Sequence, residues 1–233
     1  MVTILLVRHG QNAWVKQKRL AGWIAGVHLD ETGEKQAQEA AARLAHLPVA
    51  AIYSSPVTRC LETAAYLADA LQLTVEPVEA LGEVRYGEWE GAEIEKLAKE
   101  KSWYAVQHYP GRFRFPEGEA LREVQMRAVT ALEEIAQRHE QGEVVIAVSH
   151  ADLIKLVLAY YLGIHIDLFQ RIIISPASVS AIALMENGVV RVGRVNDDGP
   201  LRAPAEKEEK PSGNGENEAS VSEPAAEVEE HEA

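Results

Sequence analysis

The chain reads as an α/β protein: a three-layer α/β/α sandwich on a mostly parallel sheet that carries an antiparallel edge strand. Three observations predict this. Short continuous apolar runs, above all residues 3–7 and 144–149, alternate with segments whose apolar residues recur at helical spacing. Such alternation implies a parallel sheet with helices on both faces. The last two apolar runs are joined by Glu186-Asn187-Gly188, and Asn-Gly is a strong hairpin signal. Several runs also end in residues able to do chemistry, as expected at the carboxyl ends of strands in open α/β sheets.

Residues 3–7 form the first strand and lead into Arg8-His9-Gly10. Residues 32–47 form a helix with Ala37, Ala40, Ala41, Leu44 and Leu47 on one face. Residues 49–54 are the second strand, leading to Ser55-Pro56-Val57-Thr58-Arg59. Pro56 suits the opening of a helix, which runs to about Leu71 with Leu61, Ala64, Ala65, Ala68 and Leu71 facing inward. Residues 74–78 are a short strand, and Val78-Glu79-Ala80-Leu81-Gly82 leads to Glu83. Helices follow at 94–103 and 121–138. Residues 144–149 are a buried strand ending at His150, followed by a helix over 152–162. Residues 171–174, 178–185 and 189–195 are strands, the last two forming the hairpin. Two histidines, two arginines and one glutamate can thus meet at one rim.

The length of 233 residues and 47% apolar content suit a globular α/β protein. Residues 199–233 hold ten Asp and Glu against three Lys and Arg, so seven of the thirteen net negative charges lie there and the other 198 residues carry −6. That segment is rich in Pro, Glu, Ala, Ser and Gly and has no aromatic residue, so it cannot bury enough apolar surface to offset its ordering entropy. The expected organisation is a catalytic domain over 1–198 and a disordered acidic tail over 199–233. A mildly acidic body argues against a nucleic-acid platform. No apolar run is long enough to span a membrane, and none resembles a signal peptide. One cysteine, Cys60, excludes an internal disulfide and fits a reducing, cytoplasmic setting. A homo-oligomer is left open.

Arg8 and Arg59 offer forked donors that match phosphate oxygens in pairs. Gly10 lets backbone approach an anion, and the helices after Pro56 and His150 can aim amide groups at the same spot. Several convergent donors suit a phosphoryl group, whose transition state spreads charge over three oxygens. A nucleophilic His9 needs one neutral ring nitrogen and a fixed acceptor for the other. His150 is more useful as a cation facing the phosphate. Glu83 needs a raised pKa to act as an acid; Glu79, Glu88 and Glu90 are alternatives to it. Trp23, Tyr86, Trp89, Trp103, His108, Arg112 and Arg114 are candidates for a substrate cap.

Arg8-His9-Gly10, Ser54-Ser55-Pro56-Val57-Thr58-Arg59, Glu83 with Gly87-Glu88-Trp89-Glu90-Gly91, Pro116-Glu117-Gly118-Glu119 and Val148-Ser149-His150 together resemble the histidine phosphatase superfamily, the clan of cofactor-dependent phosphoglycerate mutases and related phosphatases. The resemblance spans residues 3 to about 185. It implies a phosphoglycerate mutase-like fold, His9 as the nucleophile, and Arg8, Arg59 and His150 on the phosphoryl oxygens. It also implies that Glu83 protonates the leaving group, with Gly10, Gln11 and Ala151 as further substrate-binding positions. No metal is implied, since arginines and imidazoles supply the positive charge.

The chain departs from the common pattern at Asn12 (often Thr), Val15 (often a phosphate-touching Asn), Cys60 (often Ala) and Ala120 (often Ser). Gln11 is a candidate replacement donor for Val15. The loop Gly22-Trp23-Ile24-Ala25-Gly26-Val27-His28-Leu29 is also unusual. With 57–60 and 169–171 it is similar to a subgroup labelled phosphomutases. Glu83 and His150 are 67 positions apart, too close for the longer insertion that mutases share, so the resemblance favours a phosphatase acting on a small phosphorylated metabolite. A mutase requiring 2,3-bisphosphoglycerate is the alternative, and a non-catalytic phospho-ligand binding module is the third reading.

Overall fold

The computed structural model describes residues 1–199. The acidic tail expected over 199–233 lies outside the described residues, apart from Gly199. Strands β1 (Val2–Arg8), β2 (Val49–Ser54), β3 (Val75–Pro77) and β4 (Val144–Ser149) are parallel; β5 (Val179–Leu184) runs antiparallel to β1, and β6 (Val190–Asp197) antiparallel to β5. The order is β3-β2-β4-β1-β5-β6. The antiparallel part is therefore a hairpin, with β6 at the edge. At its turn Gly188 takes φ 79° and Asn187 Oδ1 accepts from Val189 N at 3.2 Å.

Side chains of β1 alternate between two cores. Leu5 and Val7 pack with Ala41 and Leu44 of α2 (Glu31–Leu44) and with Cys60, Ala64 and Leu67 of α3 (Thr58–Leu71). Ile4 and Leu6 pack with α6 (Leu121–Gln137) and α7 (Ala151–Leu162). This is the expected three-layer arrangement. The remaining α-helices among the described residues are single-turn α1 (Ala13–Lys16) and α4 (Ile94–Leu97) and two-turn α5 (Lys101–His108).

Four expectations need correction. Helix α2 stops at Leu44 rather than 47, because Pro48 disfavours helical backbone in the residue before it. In α3 the inward face is Cys60, Ala64, Leu67 and Ala68, while Ala65 is exposed. The helix expected over 94–103 is two helices, turning after Leu97 so that both Leu97 and Val106 reach the core. Residues 171–174 form no strand: a 3-10 turn covers Ile166–Arg171, and Ile172 and Ile174 are buried beyond it. Both edges of β1 are already taken by β4 and β5, so the segment cannot pair with that strand.

The loop after β1 is held tightly against α2. A Cβ on Gly10 would lie 2.4 Å from the Gly33 carbonyl oxygen, and one on Gly33 would lie 2.0 Å from that of Gln11. Gly10→Ala is therefore expected to destabilise the fold by about 1–3 kcal/mol, the usual range for overpacking, read as a lower urea midpoint. An unchanged midpoint would contradict this contact.

Candidate active site

Strands β1 and β4 pair in register, with Arg8 opposite Ser149, so His9 and His150 emerge side by side. The helices that follow them, α2 and α7, lie on opposite faces of the sheet. Neighbouring strands whose connections diverge in this way open a crevice at their carboxyl ends. The two imidazoles meet edge-on with centroids 5.3 Å apart.

His9 is 3% exposed. Its Nδ1 donates to the Gly10 carbonyl at 2.7 Å, and Arg59 Nε donates to its Nε2 at 3.2 Å. Nε2 therefore carries the lone pair. Burial, with like charge from Arg59 and Arg8, holds His9 well below its ordinary pKa and keeps the ring neutral. Arg59 Nη2 donates to Gly22 O and to His150 Nδ1, both at 3.0 Å. His150 Nε2 thus has the proton and donates to Ser55 Oγ at 2.8 Å. Burial, then Arg59, also lowers the His150 pKa well below its usual value. The ring is neutral here, not the cation expected; only a close anion would offset that burial. Cys60 is fully buried, with Sγ 3.4 Å from His150 Nε2 and its thiol pushed up to about 12 by burial.

Glu83 is not at a strand end. Strand β3 stops at Pro77, and a 3-10 turn over Glu79–Leu81 carries the chain to the rim. Glu83 Oε1 accepts from Val84 N at 3.0 Å, and Oε2 lies 3.4 Å from His150 Nδ1 and 3.8 Å from Arg59 Nη2. Burial, with the nearby Asp152 carboxylate, pushes its pKa up to about 7 against the pull of Arg59. The Glu83 carbonyl accepts from Trp23 Nε1 at 2.7 Å and Arg127 Nη2 at 2.9 Å. Arg127 also donates to Ala80 O and Gly82 O, and a two-point pair with Glu119 at 2.8 and 2.9 Å holds it in place. This clamp fixes the backbone that presents Glu83.

Arg8, His9, Arg59, Glu83 and Ala151 line one cleft of about 360 Å³. Arg8 Nη1 donates to Ile174 O at 2.6 Å. Two buried guanidinium nitrogens, Arg8 Nε and Arg59 Nη1, have no hydrogen-bond partner among the described residues. Buried donors are normally satisfied, so these two mark a place for an acceptor. A larger cavity of about 430 Å³, lined by Val2, His139 and Val190 among others, opens at the other end of β1 and has none of these groups.

His150 is not part of the cleft lining and meets the cleft through Arg59 and Glu83. Gly10 and Gln11 do not line it either. Gly10 N donates to Thr63 Oγ1 at 3.1 Å, and Gln11 Nε2 donates to Asp30 Oδ2 at 3.2 Å. Val15 does line the cleft and presents only methyl groups. Asn12 caps α1, its Oδ1 accepting from Val15 N at 2.9 Å. Of the cap candidates only Tyr86 lines the cleft; Trp89 is buried in the core, and Arg114 pairs with Glu123.

Sequence reasoning missed Lys18, Arg19, Asp152 and Lys155, which also line the cleft. Tyr86 Oη donates to Asp152 Oδ2 at 3.0 Å, and Lys155 Nζ lies 3.2 Å from Asp152 Oδ1. The available signal was the position of Asp152 and Lys155, two and five residues beyond His150, on the first turns of a helix that starts at the rim.

Residues 4–198 match the sequence profile of the histidine phosphatase superfamily (branch 1). Phosphoserine phosphatase 1 of Hydrogenobacter thermophilus is 31% identical over 80% of this chain and 88% of its own length. A protein from Yersinia pestis with the name "Probable phosphoglycerate mutase GpmB" is 30% identical over 80% of this chain and 87% of its own. The solved structure of YhfR from Bacillus stearothermophilus superposes with a TM-score of 0.79 at 28% identity, covering 84% of this chain and 98% of that one. With its fold, the order of its motifs and these likenesses in agreement, the chain belongs to the histidine phosphatase superfamily.

Proposed function

We propose that the chain is a metal-independent phosphatase that hydrolyses a small phosphomonoester through a phosphohistidine on His9. The carrying observation is the convergence of the partnerless Arg8 and Arg59 donors with the Nε2 lone pair of His9 on one cleft. The phosphoryl group displaces the long Arg59–His9 contact and takes its place among the guanidinium donors. Nε2 then attacks phosphorus, the P–O ester bond breaks, and Glu83 gives its proton to the departing alkoxide. The Gly10 carbonyl, accepting from Nδ1, steadies the positive charge that develops on the ring. In the second half, Glu83 takes a proton from water, the water oxygen attacks phosphorus, and the P–N bond breaks to release phosphate. Guanidinium groups supply the positive charge that a metal would otherwise bring.

The test is phosphate release from alkyl and aryl phosphates in excess EDTA, over a pH series. Release without added metal is expected. The rate for alkyl esters should hold on the acid side of neutrality, where His9 is neutral and Glu83 protonated, and fall above about pH 7 as Glu83 ionises. A rate that climbs from pH 7 to 9 would remove Glu83 as the acid. Transfer that appears only with 2,3-bisphosphoglycerate and 3-phosphoglycerate would establish the mutase, the reading favoured by the GpmB likeness. Binding without turnover would establish the binding module. We also propose a cytoplasmic location, supported by the single buried cysteine. No described helix is long and apolar enough to cross a membrane.

A further inference from the structure

The cleft does not end at the catalytic groups. A second cavity of about 210 Å³ adjoins it, and the two share Leu20, Tyr86, Ile94, Asp152, Lys155 and Gln170 as walls. Its remaining walls are Trp103, Val106, Phe115, Leu121 and Phe169, with the exposed Gln107. An apolar cavity of about 150 Å³ takes up a benzene ring, so this recess has room for a ring or a chain of about six carbons.

The cations along the walls are mostly engaged with the protein itself. Both forks of Arg19 rest on Gly91 O at 3.0 and 2.8 Å, and its guanidinium stacks 4.4 Å over Trp14. Lys155 is paired with Asp152 at 3.2 Å and with Gln170 at 2.9 Å. Lys18 is exposed and makes no ion pair among the described residues. One exposed lysine holds a second anionic group weakly. The rest of the wall, including Val15, Leu20, Ile94 and Ile172 to Ile174, is apolar.

We infer that the substrate is a phosphomonoester of an apolar alcohol, with its phosphoryl end on Arg8 and Arg59 and its organic end in the recess between Ile94 and Phe169. This rests on the phosphatase reading and narrows it: the non-reacting end is recognised by apolar contact rather than by charge.

The test compares kcat/KM of the full chain for 2-phenylethyl and hexyl phosphate against O-phosphoserine and glycerol phosphate, all alkyl esters. Each methylene buried is worth about fourfold, so the apolar esters should lead by at least about tenfold. Ile94→Asp places a carboxylate on the wall shared by both cavities and should cut that ratio about tenfold, while Ile94→Leu should restore it. In parallel, calorimetry should find hexylphosphonate binding at least about tenfold tighter than phosphonoacetate. Phosphoserine preferred over the apolar esters, with the ratio unmoved in Ile94→Asp, overturns the inference and leaves the phosphatase standing. Failure to release phosphate from any ester overturns the phosphatase; the phosphonate comparison then still decides the recess, and equal affinities overturn it.

Discussion

His9→Ala is expected to abolish turnover while the chain still folds. No other group on the cleft offers a neutral nitrogen lone pair held in line with two arginines: His150 keeps its Nδ1 on Arg59 and its Nε2 on Ser55. Loss of a nucleophile of this kind costs on the order of 10⁴-fold or more. Folding should survive because β1 is held by backbone bonds on both sides, including His9 N to Ser149 O at 2.9 Å, which alanine retains. Alkaline quenching of the native chain during turnover should trap a phosphoenzyme, stable to base and labile to acid, that is missing in His9→Ala. Turnover near the native rate in a folded His9→Ala chain would remove His9 from the mechanism.

Glu83→Gln should divide substrates by leaving group. An amide cannot protonate an alkoxide, so alkyl esters should lose about 10²- to 10⁴-fold. Aryl esters, whose phenoxides leave without a proton, should lose far less in the first step. Their second step still lacks a base for water, so a burst of phenol should precede slow phosphate release. Equal losses for both classes in the first step, with no burst of phenol, would exclude Glu83 as the acid. The same variant should be the more stable protein at alkaline pH. With the native carboxyl at about 7 against an ordinary 4.5, the folded state holds more protons than the unfolded state between those values. Native stability therefore falls as pH rises through that window, by about 3 kcal/mol at most. Glutamine carries no such cost and can still accept from Val84 N. The melting-point gain of Glu83→Gln should be largest above pH 7 and absent near pH 4; a gain independent of pH would contradict the burial argument.

The two imidazoles and two arginines were legible because they follow directly from strand or helix starts, where a short apolar run fixes the position of the next side chain. The segment ending at Gly82 brought Glu83 to the rim, but only the family likeness singled it out from Glu79, Glu88 and Glu90. It stands six residues beyond β3, on a turn whose shape depends on Arg127 and Glu119, 36 or more positions further on. Spacing cannot reveal such a clamp, since both partners sit on ordinary helical or loop stretches. The cleft walls failed for a related reason. Arg112 and Arg114 alternate with phenylalanines and look aimed at a ligand, yet Arg114 is taken by Glu123, nine residues further along the chain, while Lys155 reaches the cleft from a largely apolar helix. Gly10 was singled out for backbone approach to an anion, whereas in the structure its bare Cα accommodates Gly33.

The in-register pairing of β1 with β4 has a consequence for how the molecule breathes. The amide of His9 is bonded into the middle of a six-stranded sheet, so it should exchange with solvent only when the whole domain opens. The recess wall from Ile94 to His108 consists of a single turn and a two-turn helix with an exposed Tyr104, and segments of that kind open locally at much lower free energy. Proton exchange should therefore split the site into a slow floor and a fast wall. A chain built this way can change what it admits by altering the wall, while the groups that break the bond stay tied to the most resistant part of the fold.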